Sequence, residues 1–145
     1  MYVNEYKLRY NRTQAESLCL KNSKQIFDFL YNNVYDHDEI NIFESIYVVL
    51  LSAANEVKGF AKIGQGGVSS TLADIRLISK YAIESLASAI VITHNHPSGN
   101  TKPSKKDEIL TKDVKKAMDI FGIVLLDHVI ISDRGYFSFI DSGLL

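Results

Sequence analysis

The chain has 145 residues, of which 46% are hydrophobic and 23% charged, and its net charge is −1. Such a length suits one compact domain that buries roughly 70% of its unfolded surface, and the composition is that of a globular protein, not a disordered, fibrous or membrane-embedded one. The near-zero charge gives no global pull toward nucleic acid, and the lone Cys19 excludes both an internal disulfide framework and a cysteine-rich metal site.

No basic segment followed by an apolar core opens the sequence, and no apolar run reaches the ~18 residues of a membrane span. A cytoplasmic chain without a membrane partner is expected. Tyr6, Leu8 and Tyr10 alternate with polar residues and predict a short half-exposed strand before the polar stretch 11–16. From Ser23 onward Ile26, Phe27, Leu30, Tyr31 and Val34 recur at helical spacing, with Ser23 as cap and residues 36–38 as exit. Residues 46–51 are apolar throughout, as a central strand covered on both faces must be. Asn55 and Glu56 read as a turn into a strand over 57–63, and Gly64, Gly66 and Gly67 break the pattern before a helix at about 74–86.

A short apolar strand over 89–93 runs directly into His94-Asn95-His96-Pro97-Ser98-Gly99. Pro97, Gly99 and Pro103 shape a rigid loop, after which an amphipathic helix runs from 104 to about 121 and stops at Gly122. A strand over 123–131 and a hairpin around Asp133, Arg134 and Gly135 follow, with no internal repeat anywhere.

Residues two apart in an extended chain project to one side, so His94 and His96 can offer both imidazoles to one metal ion while Asn95 points away. The triplet alone does not distinguish a ligand pair from two solvated histidines; a third ligand is needed. At about 100° per residue, Leu110, Val114, Ala117, Met118 and Phe121 share one helix face, and Asp107 falls in the same sector. Lys105, Lys112 and Lys116 lie opposite. A carboxylate aimed inward costs several kcal/mol unless it is paired or metal-bound. Ser104 and Asp107 also have the S-x-x-D spacing of a helix capping pair, which accounts for Asp107 without a metal. That alternative leaves unexplained why two histidines arrive on the preceding strand end. Two histidines and one carboxylate leave a fourth position for water, as catalytic zinc sites require.

His94, His96, Ser104 and Asp107 reproduce the JAMM signature of H-x-H, seven residues, S, two residues, D. HNHPSG at 94–99, PS at 103–104 and LLDH at 125–128, with Arg76, Ala82 and Ala87, further resemble the RadC branch of this JAB/MPN+ metallo-domain family. The resemblance runs from about residue 36 to the end, which makes residues 1–35 a divergent N-terminal segment of a single domain over 1–145. It implies an α/β fold in three layers, a mixed β-sheet flanked by helices and related in shape to the cytidine deaminases. It also implies a zinc metallohydrolase of the metalloprotease or isopeptidase type, acting on an amide or isopeptide bond of a protein or peptide. Such enzymes use an upstream glutamate as general acid and base. Glu44, which opens the apolar strand and shares a face with Ile46 and Val48, fits that place best, with Glu39 as fallback; a solvated residue at a strand start is the plainer account of Glu44. Ser104 would help zinc stabilise the oxyanion.

Asp127 and His128 follow an apolar run and are either outer groups that orient a ligand histidine or a polar pair at a strand end. Asn95 and Ser98 are expected to hold the loop by bonds to backbone. Lys102, Lys105, Lys106, Lys112, Lys115 and Lys116 are interspersed with Glu108, Asp113 and Asp119, the pattern of a solvated helix face. RadC proteins have long carried a DNA-repair label, and a DNA-associated module is the alternative function. Longer members have an N-terminal helix-hairpin-helix region, whereas this chain begins almost at the metallo-domain, so the main argument for DNA contact is missing. Deaminase chemistry would need a cysteine pair on zinc and is set aside.

Overall fold

In the computed structural model, which describes residues 2–5, 18–66 and 73–145, helices pack on both faces of a five-stranded mixed sheet. The strand expected at Tyr6, Leu8 and Tyr10, the polar stretch 11–16 and Gly67 lie outside the described residues. The chain order is α1 (Ser23–Asn33), β1 (Ser45–Leu51), β2 (Val57–Gln65), α2 (Ile75–Glu84), β3 (Ala89–Asn95), α3 (Lys105–Ile120), β4 (Val124–Ser132) and β5 (Gly135–Ser138). Across the sheet the strands run β2-β1-β3-β4-β5. β1 is antiparallel to β2 and β3, β4 is parallel to β3, and β5 returns antiparallel to β4. A parallel pair cannot be joined by a tight hairpin, and α3 is the crossover between β3 and β4.

Strand alternation sorts the core into two layers. Val49 and Leu51 of β1, Val91 of β3, and Val129 and Ile131 of β4 pack with Ile26, Phe29 and Leu30 of α1. Ile46, Val48 and Leu50, together with Ile90 and Ile92, point the other way and meet Ile78 and Ala82 of α2 and Val114 and Met118 of α3. The apolar runs of β1 and β3 follow from this, since an interior strand with helices on both sides has no wet face. No helix among the described residues is long and apolar enough to cross a membrane.

Several expected boundaries shift for local reasons. Asn22, not Ser23, caps α1 by accepting the Gln25 N–H at 2.9 Å. Ser23 is instead buried, with its hydroxyl against Tyr136 Oη and the Asp141 carboxylate. Gly64 does not break β2, because it pairs with Ile46 and the strand continues to Gln65. Asp74 caps α2 from outside the helix by accepting the Arg76 N–H. Phe121, placed on the core face by helical phase, is the C-cap of α3 and 51% exposed, because the chain turns away there. Gly122 follows with φ 67°, the left-handed residue that ends the helix.

Asp127 belongs to this framework. Its Oδ1 accepts the N–H groups of His128 (2.8 Å) and Ile140 (3.1 Å), and its Oδ2 accepts the Ser138 hydroxyl at 2.6 Å. Burial pushes its carboxyl above the usual range in spite of these bonds. Asp127→Ala leaves buried donors unpaired, and urea unfolding should show a loss of about 2–4 kcal/mol. Metal uptake at the site described below should survive at low denaturant; its loss would mean that Asp127 acts on the site and not on the fold.

Candidate metal centre

The alternation of β3 carries straight into the site. Ile90 and Ile92 face α3, so His94 does too, at the end of the strand and only 1% exposed. His96 lies just past the strand, where its N–H still donates to the Ile131 carbonyl at 3.0 Å. The turn from His96 to Gly99 is closed by the Gly99 N–H on the His96 carbonyl, with Gly99 at φ 83°. That turn brings the chain back to α3, whose first turn presents Asp107.

Asp107 is both cap and candidate ligand. Its Oδ2 accepts the Ser104 N–H at 2.7 Å while Ser104 Oγ accepts the Asp107 N–H at 3.2 Å, a complete capping box. Asp107 Oδ1 lies 3.2 Å from His94 Nε2, and Oδ2 lies 3.5 Å from His96 Nε2. The two Nε2 atoms are 3.0 Å apart. The capping pair and the metal cluster, alternatives in the sequence, are thus one arrangement of the same carboxylate.

The donor set fits a metal ion. His96 Nδ1 donates to the Asn100 carbonyl at 2.7 Å, which leaves a lone pair on Nε2. Lone pairs and a carboxylate that face one point repel unless a cation lies between them. A tetrahedral ion with N and O ligands at about 2.0–2.1 Å sets ligand–ligand edges of about 3.3 Å. The two nitrogens here are 3.0 Å apart, and each lies 3.2 or 3.5 Å from a different oxygen of the carboxylate, close enough for all three residues to reach one ion. When protons on the histidine nitrogens take the place of an ion, burial alone would raise the Asp107 carboxyl, but hydrogen bonds from His94 and His96 outweigh this and hold it well below the usual carboxylate range. Burial alone would lower His96, and Asp107 with the Asn100 carbonyl reverses that and raises it.

Glu44 directly precedes β1 and lines a cleft of about 280 Å³ together with His94 and Asp107, on the face it shares with Ile46. Ala73, Ile75, Ile109 and Leu110 supply apolar walls. Glu39 is exposed and lies by a different hollow, with Tyr35 and Tyr47. Asn95 fixes the segment that leads to Glu44: its Oδ1 accepts the Ser45 N–H at 2.8 Å, and its Nδ2 donates to the carbonyls of Ile40 (2.7 Å) and Phe43 (2.8 Å). Ser98 Oγ accepts the Asn100 N–H at 3.3 Å. All six lysines of the loop and α3 are exposed, and Lys105 and Lys115 pair with Glu108 and Asp119.

His128 and Asp127 part company. His128 Nε2 lies 2.9 Å from His94 Nδ1, and its Nδ1 lies 2.6 Å from Thr111 Oγ1. Burial holds His128 well below the usual imidazole range, so the ring is neutral. Thr111 and Asn100 did not stand out in the sequence. Thr111 is one helical turn beyond Asp107 on the same buried face, so the helix phase that picks out Asp107 also points to it. The Asn100 contact is made by a backbone carbonyl, which no residue type announces.

Fold and site together define a three-layer α/β domain built around a candidate His-His-Asp metal centre. The chain belongs to the RadC-like JAB domain family, whose model matches residues 20–144. A UPF0758 protein of Porphyromonas gingivalis is 48% identical over 103 residues, which cover 70% of this chain and 45% of that protein. A UPF0758 protein of Fusobacterium nucleatum is 37% identical over 145 residues, 100% of this chain and 60% of its own length. One from Chlorobaculum tepidum is 34% identical over 143 residues, 99% of this chain and 63% of the relative. The chain spans about half the length of the curated relatives it matches. The family match takes in α1, which lies within the segment 1–35 that the sequence sets apart as divergent.

Protein purified without chelator should carry about one bound transition-metal ion per chain, measured by plasma mass spectrometry. Asp107→Ala, and His94→Ala with His96→Ala, should each abolish it. A wild-type chain that takes up no metal when ions are supplied would reduce Ser104 and Asp107 to a helix cap.

Proposed function

We propose that this chain is a zinc-dependent hydrolase that cleaves an amide or isopeptide bond in a protein or peptide substrate. The observation that carries the reading is the cluster of His94, His96 and Asp107, bordered by a cleft that Glu44 also lines. Imidazole and carboxylate donors suit zinc, which when bound would supply a water acidified toward pKa ~7 and a Lewis acid for the carbonyl oxygen.

The chain's own residues provide the rest. Glu44 takes the attacking water's proton and returns it to the leaving amine. Ser104 Oγ serves the capping box as an acceptor, so its hydroxyl proton can donate to the carbonyl oxygen as that atom gains charge. Ile46, Ala73, Ile75, Ile109 and Leu110 give the cleft apolar walls against which the substrate beside the reacting carbonyl can pack. Asn95 acts indirectly by pinning the backbone that carries Glu44.

Zinc-loaded protein incubated with a panel of peptide and isopeptide conjugates should release amine product. Glu44→Gln should lower kcat by about 10²–10⁴ while its zinc content stays that of the wild type. Equal rates for the two proteins would remove Glu44 from the chemistry, and no cleavage across the panel by metal-loaded wild type would defeat the hydrolase reading.

A further inference from the structure

We infer that His128 and Thr111 form a directed hydrogen-bond relay that fixes the tautomer of His94 and thereby sets the metal affinity of the site, an inference that rests on reading the cluster as a metal centre. The direction follows from proton counting at Thr111. Its Oγ1 donates to the Asp107 carbonyl at 2.7 Å, and a carbonyl can only accept. The hydroxyl has one proton, so the 2.6 Å contact with His128 must be made by Nδ1–H of the ring donating to Oγ1.

A neutral imidazole with its proton on Nδ1 bears a lone pair on Nε2. That lone pair is 2.9 Å from His94 Nδ1, which must therefore carry the proton of this contact. His94 is left with its lone pair on Nε2, the atom that faces His96 and Asp107. Starting from the other end gives the same result, because a neutral histidine that binds a metal through Nε2 must keep its proton on Nδ1. The reverse relay would put a proton on His94 Nε2, aimed into the cluster, and remove the ring as a ligand.

The relay is built to hold that direction. His128 is 1% exposed, so water does not compete for either nitrogen. Its ring is stacked on Phe139 with centroids 4.5 Å apart and planes 10° apart, which fixes its orientation. The far end of the relay is the backbone carbonyl of Asp107, whose carboxylate is the third ligand. His94, His128, Thr111 and Asp107 thus close a circuit through β3, β4 and α3, and a shift of α3 against the sheet breaks relay and ligand set together. Metal-bound imidazoles usually donate to a carboxylate, a backbone carbonyl or water. A neutral imidazole in that place adds no negative charge beyond Asp107 and leaves more of the ion's positive charge for the fourth ligand.

The test measures zinc affinity by chelator competition on the full chain, with thermal unfolding and amide spectra as controls on folding. His128→Phe keeps the ring and its stacking but neither accepts nor donates, and it should weaken zinc binding about 10–100-fold. His128→Gln, which restores an acceptor near His94 Nδ1, should recover part of that loss. Thr111→Val should weaken binding less than His128→Phe, and Thr111→Ser should restore it. Ring nitrogen NMR of metal-free protein at about pH 9, above the ordinary imidazole range, should place the proton of His94 on Nδ1 in wild type and on either nitrogen in His128→Phe. Wild-type affinity in folded His128→Phe, or a His94 proton on Nε2 in wild type, would overturn the relay. Neither readout involves a substrate, so a chain that binds zinc through this relay and cleaves nothing would defeat the hydrolase reading and leave the relay standing.

Discussion

The candidate centre turns on the Asp107 carboxylate, which does two jobs. As a capping group it satisfies the Ser104 N–H and is favoured by the positive end of the α3 dipole. As a buried anion 9% exposed, it would cost several kcal/mol without a positive partner. The two histidine nitrogens that meet it carry no charge of their own unless a proton or a metal ion lies between the three groups. The cap therefore fixes where the carboxylate sits before any ion binds, and the ion relieves the electrostatic cost of putting it there. This division of labour removes most of the entropy that an unconstrained carboxylate would lose on coordination.

How much of this is visible in the sequence depends on the range of the interaction. His94 and His96 follow from strand alternation and Asp107 from helix phase, both of which are local periodicities. The two-layer core likewise shows in the unbroken apolar runs of β1 and β3. Caps are less secure: Asn22 and Ser23 are both good capping residues, and the choice between them turned on the contact of Ser23 with Tyr136 and Asp141, 113 and 118 residues away. Gly64 reads as a breaker because glycine is rare in strands, yet the pairing with Ile46 holds it in β2. The RadC-like motifs implied an upstream glutamate, and only the three-dimensional course of residues 36–45 shows that Glu44 lines the cleft of His94 and Asp107 while Glu39 lines another hollow.

That course is set by Asn95, the residue between the two histidines. A strand sends neighbouring side chains to opposite faces, so the alternation that aims His94 at α3 must aim Asn95 at the α1 side. There it holds the segment before β1 by three bonds to backbone. Asp127 and His128 repeat the pattern one strand over. Asp127 ties down the C-terminal turn, while His128 meets Thr111 and His94 on the α3 face. Two adjacent polar residues with unrelated partners are what a fully covered strand produces, and this is why neither of the two readings of the pair from sequence could apply to both residues.

The gradient of burial across the ligands bears on whether such a centre is structural or reactive. His94 is 1% exposed, the Asp107 side chain 12% and the His96 side chain 18%, so the site is closed behind and open toward one side. A structural ion needs four protein ligands to exclude water, and a fourth donor would have to come from the open side. The candidate there is Glu44, a carboxylate at the mouth of β1 whose flanking backbone is held by Asn95 of β3. Were Glu44 a ligand, its replacement by Gln would cost metal; were it a base, the metal would stay and the rate would fall. Asn95 ties the segment before Glu44 to the end of β3, between His94 and His96, so one strand end positions both the candidate ligands and the carboxylate that faces them across the cleft.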